Sequence, residues 1–285
     1  MPIYNPETDC KQQSGVISKD MDIQTLEYSD IKLIADLQPA GWDIIPSFKL
    51  YTLADFCFPI KITIHKKIVG IGSAIIHKDS AWLAHIVVHP DHRNQGIGTL
   101  VTKSLIDLIL SKSCDTIYLI ATELGEPIYK KLGFEPETAY LLFNDIKTTA
   151  AFTNSKNIVP FTPKFKEEIL TIDRQVSGEN RIVLLEQYLS DGFVYVQNNR
   201  VTGFYLPTCK EGLIIATSHT AGQELMKLRL TTKENASFPI ENASAIEFMS
   251  QNNFKASRTV KRMRLGKPRN WQPSNIYNRI GGNLG

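Results

Sequence analysis

The stretch Ile86-Val-Val-His-Pro-Asp-His-Arg-Asn-Gln-Gly-Ile-Gly98 decides how this sequence is interpreted. It connects a strand-like segment, Ala81–Val88, to a segment from about Thr99 to Ser113 in which apolar residues recur at helical spacing. The pattern therefore predicts a tight turn from strand to helix, with Gly96 and Gly98 at the point where the helix begins.

The residue types in this turn suit an anionic ligand. Glycine lets the backbone turn sharply and come close to a ligand. The first turn of a helix offers unpaired N–H groups and the positive end of the helix dipole, which favour a pyrophosphate. Arg93 can add charge-assisted hydrogen bonds to phosphate oxygens. The alternative is a turn that needs glycine only for its backbone geometry. The flanking motifs distinguish this structural turn from an anion-binding loop.

The flanking segments predict a mixed sheet. Lys61–His65, Ile68–Ile76 and Ala81–Val88 are separated by short turns, which is typical of an antiparallel meander. Thr116–Ala121 is a short, continuous apolar run, as expected of a strand buried on both faces. Strand, loop, helix and buried strand make a βαβ unit, so part of the sheet is predicted to be parallel and the fold class is α/β with a mixed α+β sheet.

The pattern partly recurs after a polar stretch with two prolines at its end, Asn144–Pro163. Helices are predicted at Glu167–Arg174, Ile182–Ser190, Ala221–Leu230 and from the cap Asn242 to about Met249, and strands at Phe193–Gln197, Val201–Leu206 and Gly212–Ala216. Tyr129–Phe134 and Met249–Phe254 end helices at the same spacing in the two halves. The sequence therefore predicts two related domains, the second diverged.

Composition limits the class of protein. A chain of 285 residues suggests two domains at roughly 150 residues each. The 32 Lys and Arg against 29 Asp and Glu, a net charge of +3, do not indicate a nucleic-acid-binding protein. We find no apolar run of the roughly 18 residues that span a bilayer, and no secretory signal. The 4 scattered cysteines indicate reduced thiols. We expect a cytoplasmic protein.

Two motifs resemble the GNAT superfamily of N-acetyltransferases. Arg93-Asn-Gln-Gly-Ile-Gly98, after Val88-His-Pro90, resembles the acetyl-CoA loop of that superfamily, which reads Arg/Gln-x-x-Gly-x-Gly/Ala. Tyr129-Lys-Lys-Leu-Gly-Phe134 resembles its Tyr-x-x-Leu-Gly-Phe helix end and follows the buried strand, as in the family. The resemblance covers roughly residues 20–145.

Two further segments resemble a bacterial subgroup that carries a second, degenerate GNAT-like domain. Leu119-Ile-Ala-Thr122 is similar to the subgroup's Leu-Asp-Ala-Thr, although Ile120 departs from it. Trp271-Gln-Pro-Ser-Asn-Ile-Tyr277 followed by Gly281-Gly282 is similar to its ending. The resemblance implies tandem GNAT-like domains, with a polar tail at 1–20, a catalytic domain at 21–145, a linker at 146–163 and a degenerate domain at 164–285.

The resemblance also implies the functional residues. The cofactor-binding set is Ile86, Val87, Val88, Arg93, Asn94, Gln95, Gly96, Ile97, Gly98 and Thr99. In the superfamily, the strand that ends here at Val88 splays from its neighbour. The Val88 N–H then polarises the thioester carbonyl of acetyl-CoA. Tyr129 stands where the family places the acid that protonates the departing thiolate, although a packed helix tyrosine is the alternative.

The sequence does not identify the general base. His85 has a suitable ordinary pKa, but its face of the strand is uncertain. Ordered water or the free-base fraction of the amine is favoured over it. Glu123 and Glu126 are weaker candidates.

Three other features are assigned structural roles. Gly70-Ile-Gly72 lacks the third glycine and the helix of a dinucleotide fingerprint, so we expect a bulge or a closely packed strand. His85, His89 and His92 lie on or near an extended segment whose spacing does not suit one metal ion, and no metal is expected. The basic stretch Lys255–Arg269 is expected to be an edge strand with a solvated face.

The second half lacks the residues expected of an acetyl-CoA loop and of a proton donor. Its equivalent loop, Ile215–Leu225, has one glycine and no arginine, and Met249 stands where Tyr129 would be. We expect an acetyl-CoA-dependent N-acyltransferase that transfers an acetyl group to a primary amine of a small molecule by direct attack, while the second domain shapes the acceptor pocket. A non-catalytic acyl-CoA-binding or sensing protein and a protein N-acetyltransferase are the alternatives. Nucleic acid and membrane are not expected as partners, and a homodimer is compatible with the sequence.

Overall fold

The computed structural model describes residues 21–147, 152 and 155–284, so the predicted tail at 1–20 lies outside the described residues. The strands are β1 Met21–Thr25, β2 Cys57–Ile64, β3 Lys67–His77, β4 Ser80–Val88, β5 Thr116–Ala121, β6 Glu135–Phe143, β7 Ile158–Pro160, β8 Phe193–Gln197, β9 Arg200–Leu206, β10 Leu213–Ala216, β11 Ala236–Pro239, β12 Arg258–Gly266 and β13 Ile276–Asn278. The helices are α1 Ile45–Tyr51, α2 Ile97–Ser111, α3 Glu126–Lys131, α4 Lys166–Ser177, α5 Ile182–Leu185, α6 His219–Leu230 and α7 Ala243–Gln251.

The strands form two sheets. The first has 8 strands in the order β1-β2-β3-β4-β5-β12-β6-β11, and the second has 5 strands in the order β13-β10-β9-β8-β7. The antiparallel meander is confirmed in β2, β3 and β4, and β4 pairs with β5 in parallel, as the βαβ pattern predicts. The fold is mixed α/β. None of the helices in the described ranges is long and apolar enough to cross a membrane.

Helix α2 packs directly on β3, and two glycines make this possible. A Cβ atom built on Gly70 would lie 2.7 Å from Ile97 Cγ2, and one built on Gly72 would lie 2.7 Å from Val101 Cγ1. Both distances are shorter than real Cβ contacts, so the helix can approach this closely only over glycine. The expectation of a closely packed strand at Gly70-Ile-Gly72 is confirmed.

The basic stretch does not form an edge strand. Residues 258–266 form β12, which lies inside the first sheet between β5 and β6. The expectation of an edge strand was wrong because a strand's position in a sheet depends on distant pairing partners, which the local charge pattern does not contain.

Arg262 shows how a charged residue is accommodated inside β12. Its side chain is 2% exposed, and its guanidinium group lies 4.0 Å from the ring centre of Tyr118, 4.2 Å from that of Trp271 and 5.0 Å from that of Trp82. The Nε atom lies 2.9 Å from a carboxylate oxygen of Glu137. Stacking on aromatic faces and an ion pair together offset the loss of water around the charge.

Sheet membership does not follow the predicted division of the chain. Strands β11 and β12 come from the stretch assigned to the second domain, yet they complete the first sheet. Residues 158–160, assigned to the linker, form β7 at the edge of the second sheet, where it pairs with β8. Residues 148–151, 153 and 154 of that linker lie outside the described residues.

The faint repeat in the sequence corresponds to one backbone motif. Phe134 N donates to Tyr129 O over 3.0 Å, and Phe254 N donates to Met249 O over 2.9 Å. The residue before each phenylalanine has a left-handed backbone, with φ of 88° at Gly133 and 59° at Asn253. Both helices therefore end in the same left-handed cap, which glycine and asparagine tolerate best.

Candidate functional site

An open cleft lies between β4 and β5. The two strands pair only over Ser80–Trp82 and Thr116–Tyr118, whereas β4 continues to Val88 and β5 to Ala121. Beyond the last pair, the facing edges of the two strands are not hydrogen-bonded to each other. We call this gap the open cleft. It is the splay that the resemblance implied, and it offers unpaired backbone groups to an extended ligand.

A β-bulge in β4 shapes one wall of the open cleft. Ala84 pairs with Ser73 and Val87 pairs with Ile71, so two residues, His85 and Ile86, face the single Gly72. His85 has φ of 47°, the left-handed value that accompanies the extra residue.

Beyond the bulge, the Val88 backbone points into the open cleft. His89 N donates to Val69 O of β3 over 2.9 Å. Because N–H groups alternate sides along a strand, the Val88 N–H points away from β3 and toward the gap. The Val88 carbonyl lies on the same side and accepts a hydrogen bond from Arg93 Nε over 3.3 Å. The predicted oxyanion donor therefore faces the open cleft.

The glycine loop ends at the start of α2. Gly96, the residue that precedes the helix, has φ of 82°, and a Cβ atom built on it would meet nothing within 4 Å. No side chain caps the helix, and its first backbone bond is Leu100 N to Gly96 O, 3.0 Å. The N–H groups of residues 97–99 are thus open to an anion at the positive end of the dipole.

Helix α3 brings Tyr129 to the same region. A Cβ atom built on Gly98 would lie 3.6 Å from Val88 Cγ2 and 3.5 Å from Ile128 Cδ1, so the strand end, the helix start and α3 meet at one point. The Tyr129 ring lies over Gly125 and packs on Phe134 with ring centres 5.9 Å apart. Burial raises the pKa of Tyr129 to about 12. With this pKa the hydroxyl stays protonated at physiological pH. It makes no hydrogen bond within the described part of the chain, so it is available to a ligand.

The candidate bases differ in their surroundings. His85 Nδ1 lies 2.9 Å from the hydroxyl of Tyr51, and burial lowers the pKa of His85 to about 4. His85 is therefore neutral at physiological pH and a weak base. The side chain of Glu126 is 18% exposed and bonded to Lys130 (2.8 Å) and Lys261 (2.7 Å), and both lysines lower its pKa. Neither residue has the raised carboxylate pKa or near-neutral histidine pKa of an efficient general base.

In the second half, the corresponding gap is filled by the chain itself. β13 pairs with β10, the strand that precedes α6, and Arg279 N donates to Ser237 O of β11 over 2.9 Å. β13 therefore lies between β10 and β11. The Tyr277 ring covers the first turn of α6, since a Cβ atom on Gly222 would lie 2.1 Å from Tyr277 Cζ.

No cluster of three or more metal-ligating side chains (His, Cys, Asp or Glu) is found among residues 21–147, 152 and 155–284. Tyr51 was not predicted as a neighbour of His85. The two residues are 34 positions apart, and no motif connects them.

Residues 59–136 match the sequence profile of the family described as acetyltransferase (GNAT) domain. The matched segment contains the open cleft, the glycine loop and Tyr129. By this match, the segment is similar to GNAT acetyltransferase domains. No curated protein sequence matches the chain.

Several solved structures share the fold. A protein from Pyrococcus horikoshii described as an acetyltransferase has a TM-score of 0.80 and 21% identity, and the match covers 95% of this chain and 98% of that one. A tandem GNAT protein from the clavulanic acid biosynthesis pathway has a TM-score of 0.60 and 12% identity, over 88% and 100% of the two chains. A GCN5-related N-acetyltransferase from Sphaerobacter thermophilus gives 0.62 and 12%, over 91% and 100%. At these identities the likeness shows a shared GNAT-like fold.

Proposed function

We propose that this protein transfers the acetyl group of acetyl-CoA to a primary amine of a small molecule by direct attack. The observation that carries the proposal is the open cleft, which leads from the bulge in β4 to the uncapped start of α2. An extended pantetheine arm fits the unpaired edge of β4, and a pyrophosphate fits the N–H groups of the first helical turn.

Each wall of the open cleft has a part in the proposed reaction. Bound acetyl-CoA supplies the thioester. The amine nitrogen forms a bond to the carbonyl carbon, and the Val88 N–H receives the negative charge that develops on the carbonyl oxygen. As the carbon–sulfur bond breaks, the Tyr129 hydroxyl gives its proton to the sulfur and regains one from solvent. The attacking nitrogen releases its extra proton to water, consistent with the weak basicity of His85.

The second half supports a small acceptor rather than a protein chain. Its cleft is filled by β13, so one acetyl-CoA site per chain is proposed. Asn283, near the end of the described residues, reaches over the first sheet and contacts the hydroxyl of Tyr51, which in turn contacts His85. This contact brings the second half to the acceptor side of β4, and small-molecule pockets occur preferentially where two such units meet. We retain 164–285 as a degenerate GNAT-like unit, except for its strands β11 and β12.

Gly96→Asp tests the anion site. The substitution puts a carboxylate beside the uncapped helix start, and we expect acetyl-CoA affinity to fall at least a hundredfold by calorimetry. Gly96→Asn is the matched control because asparagine has the same shape and tolerates the same left-handed backbone. It should bind within about tenfold of the wild type. Equal losses in both variants would contradict a pyrophosphate at this position.

The release of free thiol from acetyl-CoA in the presence of an amine panel tests the reaction itself. We expect thiol release that depends on the amine and a product that carries the acetyl group. Binding of acetyl-CoA without consumption by any amine would favour the non-catalytic binding protein instead.

A further inference from the structure

Aromatic side chains surround His85 on the face of β4 opposite α2. The ring centre of His85 lies 5.7 Å from that of Tyr51, 6.0 Å from that of Phe48 and 6.1 Å from that of Trp42. Phe48 and Tyr51 are buried, whereas Trp42 is 43% exposed. The group therefore has one solvent-facing side, next to the bulge at which the acetyl group would be presented.

A hydrogen-bonded chain fixes the protonation of His85. Asn283 Nδ2 donates to the Tyr51 hydroxyl oxygen. The Tyr51 proton is then directed to the acceptor on its other side, His85 Nδ1, at 2.9 Å. With Nδ1 accepting, the neutral imidazole carries its proton on Nε2. His85 is thus a hydrogen-bond donor at its free nitrogen.

Lys210 lies beside this hydrogen-bonded chain. A Cβ atom built on Gly281 would lie 3.9 Å from Lys210 Cβ and 3.0 Å from Asn283 Oδ1, so Lys210 and Asn283 are neighbours. Lys210 is half-buried, and its positive charge adds to burial in lowering the pKa of His85 and opposes burial in the pKa of Cys57. No ion pair or side-chain hydrogen bond engages its ammonium group within the described part of the chain.

Acidic groups do not balance this charge. The carboxylate next in sequence, Glu211, is committed to Arg279 through two hydrogen bonds of 2.9 Å. No Asp or Glu among residues 21–147, 152 and 155–284 forms an ion pair or a side-chain hydrogen bond with His85 or Lys210. A cationic acceptor with a second ammonium group would meet repulsion here, and an anionic group would meet attraction.

We infer that the acceptor amine carries a carboxylate, and that the Lys210 ammonium and the His85 Nε2–H bind this carboxylate while the amine faces the open cleft. The inference rests on the proposed function and names the substrate class for the same site. Lys210 supplies the charge, and His85 supplies a directed hydrogen bond. Trp42 supplies an apolar wall for the part of the acceptor between the two polar groups. Tyr51 and Asn283 are positioning residues for His85.

The test compares amino acids with their amides. Thiol release from acetyl-CoA is measured for a panel of amino acids and for the amide of each, with rates corrected for the fraction of free amine. We expect kcat/KM to be at least tenfold higher for the best acid than for its amide. Lys210→Met should reduce that ratio to about one by raising KM for the acid. Lys255→Met, which removes an exposed lysine from the loop before β12, should leave the ratio unchanged.

The outcomes separate this inference from the proposed function. Amides that react as well as acids in the wild type, or an acid preference that survives in Lys210→Met, overturn the carboxylate site while acetyl transfer stands. Absence of thiol release with every amine, in protein that binds acetyl-CoA, overturns the proposed function and this inference with it.

Nitrogen-15 NMR of the histidine side chains tests the donor directly, without an acceptor. We expect the Nε2–H tautomer for His85, and a shift toward a mixture of tautomers in Tyr51→Phe. An Nδ1–H tautomer in the wild type would overturn the assignment of His85 as the carboxylate donor.

Discussion

Tyr129 is the residue on which the proposed proton transfer depends. Its hydroxyl is protonated and unpartnered within the described chain, and its ring is held between Gly125 and Phe134. Tyr129→Phe removes only the proton donor, so we expect kcat to fall by about 10²-fold or more. The affinity for CoA, measured by calorimetry, should stay within about twofold of the wild type. Tyr28→Phe, which changes a tyrosine 53% exposed, is the control.

An unchanged kcat in Tyr129→Phe would show that the thiolate leaves without help from this hydroxyl. A parallel loss of CoA affinity would show that Tyr129 acts in binding, as a packed helix tyrosine would. The two measurements together therefore separate the catalytic role of Tyr129 from the packing role.

At the scale of elements, the contact between α2 and β3 positions the glycine loop. A Cβ atom on Gly72 would lie 2.7 Å from Val101 Cγ1 and 3.0 Å from Leu105 Cδ1, and both of those side chains are fully buried. Neither can move aside without disturbing the core, so we expect Gly72→Ala to lower the free energy of unfolding by about 1–3 kcal/mol. Urea denaturation measures the change.

Gly282→Ala is the matched control for that substitution. Its Cβ atom would lie 3.7 Å from Arg279, an ordinary van der Waals contact, so the free energy of unfolding should stay within about 0.5 kcal/mol of the wild type. If Gly72→Ala were equally mild, the close approach of α2 to β3 would not depend on glycine.

Elements with a strong local pattern could be predicted from the sequence. Residues 116–121 were predicted as a buried strand and form β5 with the same bounds, because a continuous apolar run between turns has few other uses. Asn242 was predicted as a helix cap, and its side chain accepts from Ala245 N over 2.9 Å. Two sequence motifs on adjacent elements predicted the glycine loop and the open cleft.

Elements whose position depends on distant partners could not be predicted. Strand β12 lies between β5 and β6, and two of the rings that stack on its Arg262, those of Trp82 and Tyr118, belong to strands far away in the sequence. The group around His85 also joins residues from widely separated segments, such as Tyr51 and Asn283. Periodicity within one segment holds no information about such contacts.

At the scale of the whole molecule, the two halves are joined through buried polar groups as well as through β12. Glu179 of the second half is 1% exposed and accepts hydrogen bonds from Ser80 Oγ (2.8 Å) and Trp82 Nε1 (2.9 Å) of β4. Separating the halves would leave this carboxylate and its donors unpaired, and it would remove a strand from the middle of the first sheet.

We therefore expect the chain to unfold in a single cooperative transition, although its length suggests two domains. Scanning calorimetry is the measurement, and the calorimetric enthalpy should equal the van't Hoff enthalpy. Two resolved heat-absorption peaks would show that the halves are stable independently. Scanning calorimetry of Arg262→Met, which removes the charge inside β12, tests whether the shared strand couples the unfolding of the two halves.

The insertion of β12 also sets an order of events during protein synthesis. About 115 residues of chain separate the end of β6 from the start of β12, and β5 and β6 cannot complete their hydrogen bonds until β12 arrives. At ~5–20 residues per second, the ribosome needs on the order of 6–20 s to make that segment. For that interval the nascent chain holds two strands with unsatisfied inner edges, which are templates for pairing with other chains. The growing polypeptide is therefore most exposed to aggregation, and most dependent on chaperones, between the synthesis of β6 and that of β12.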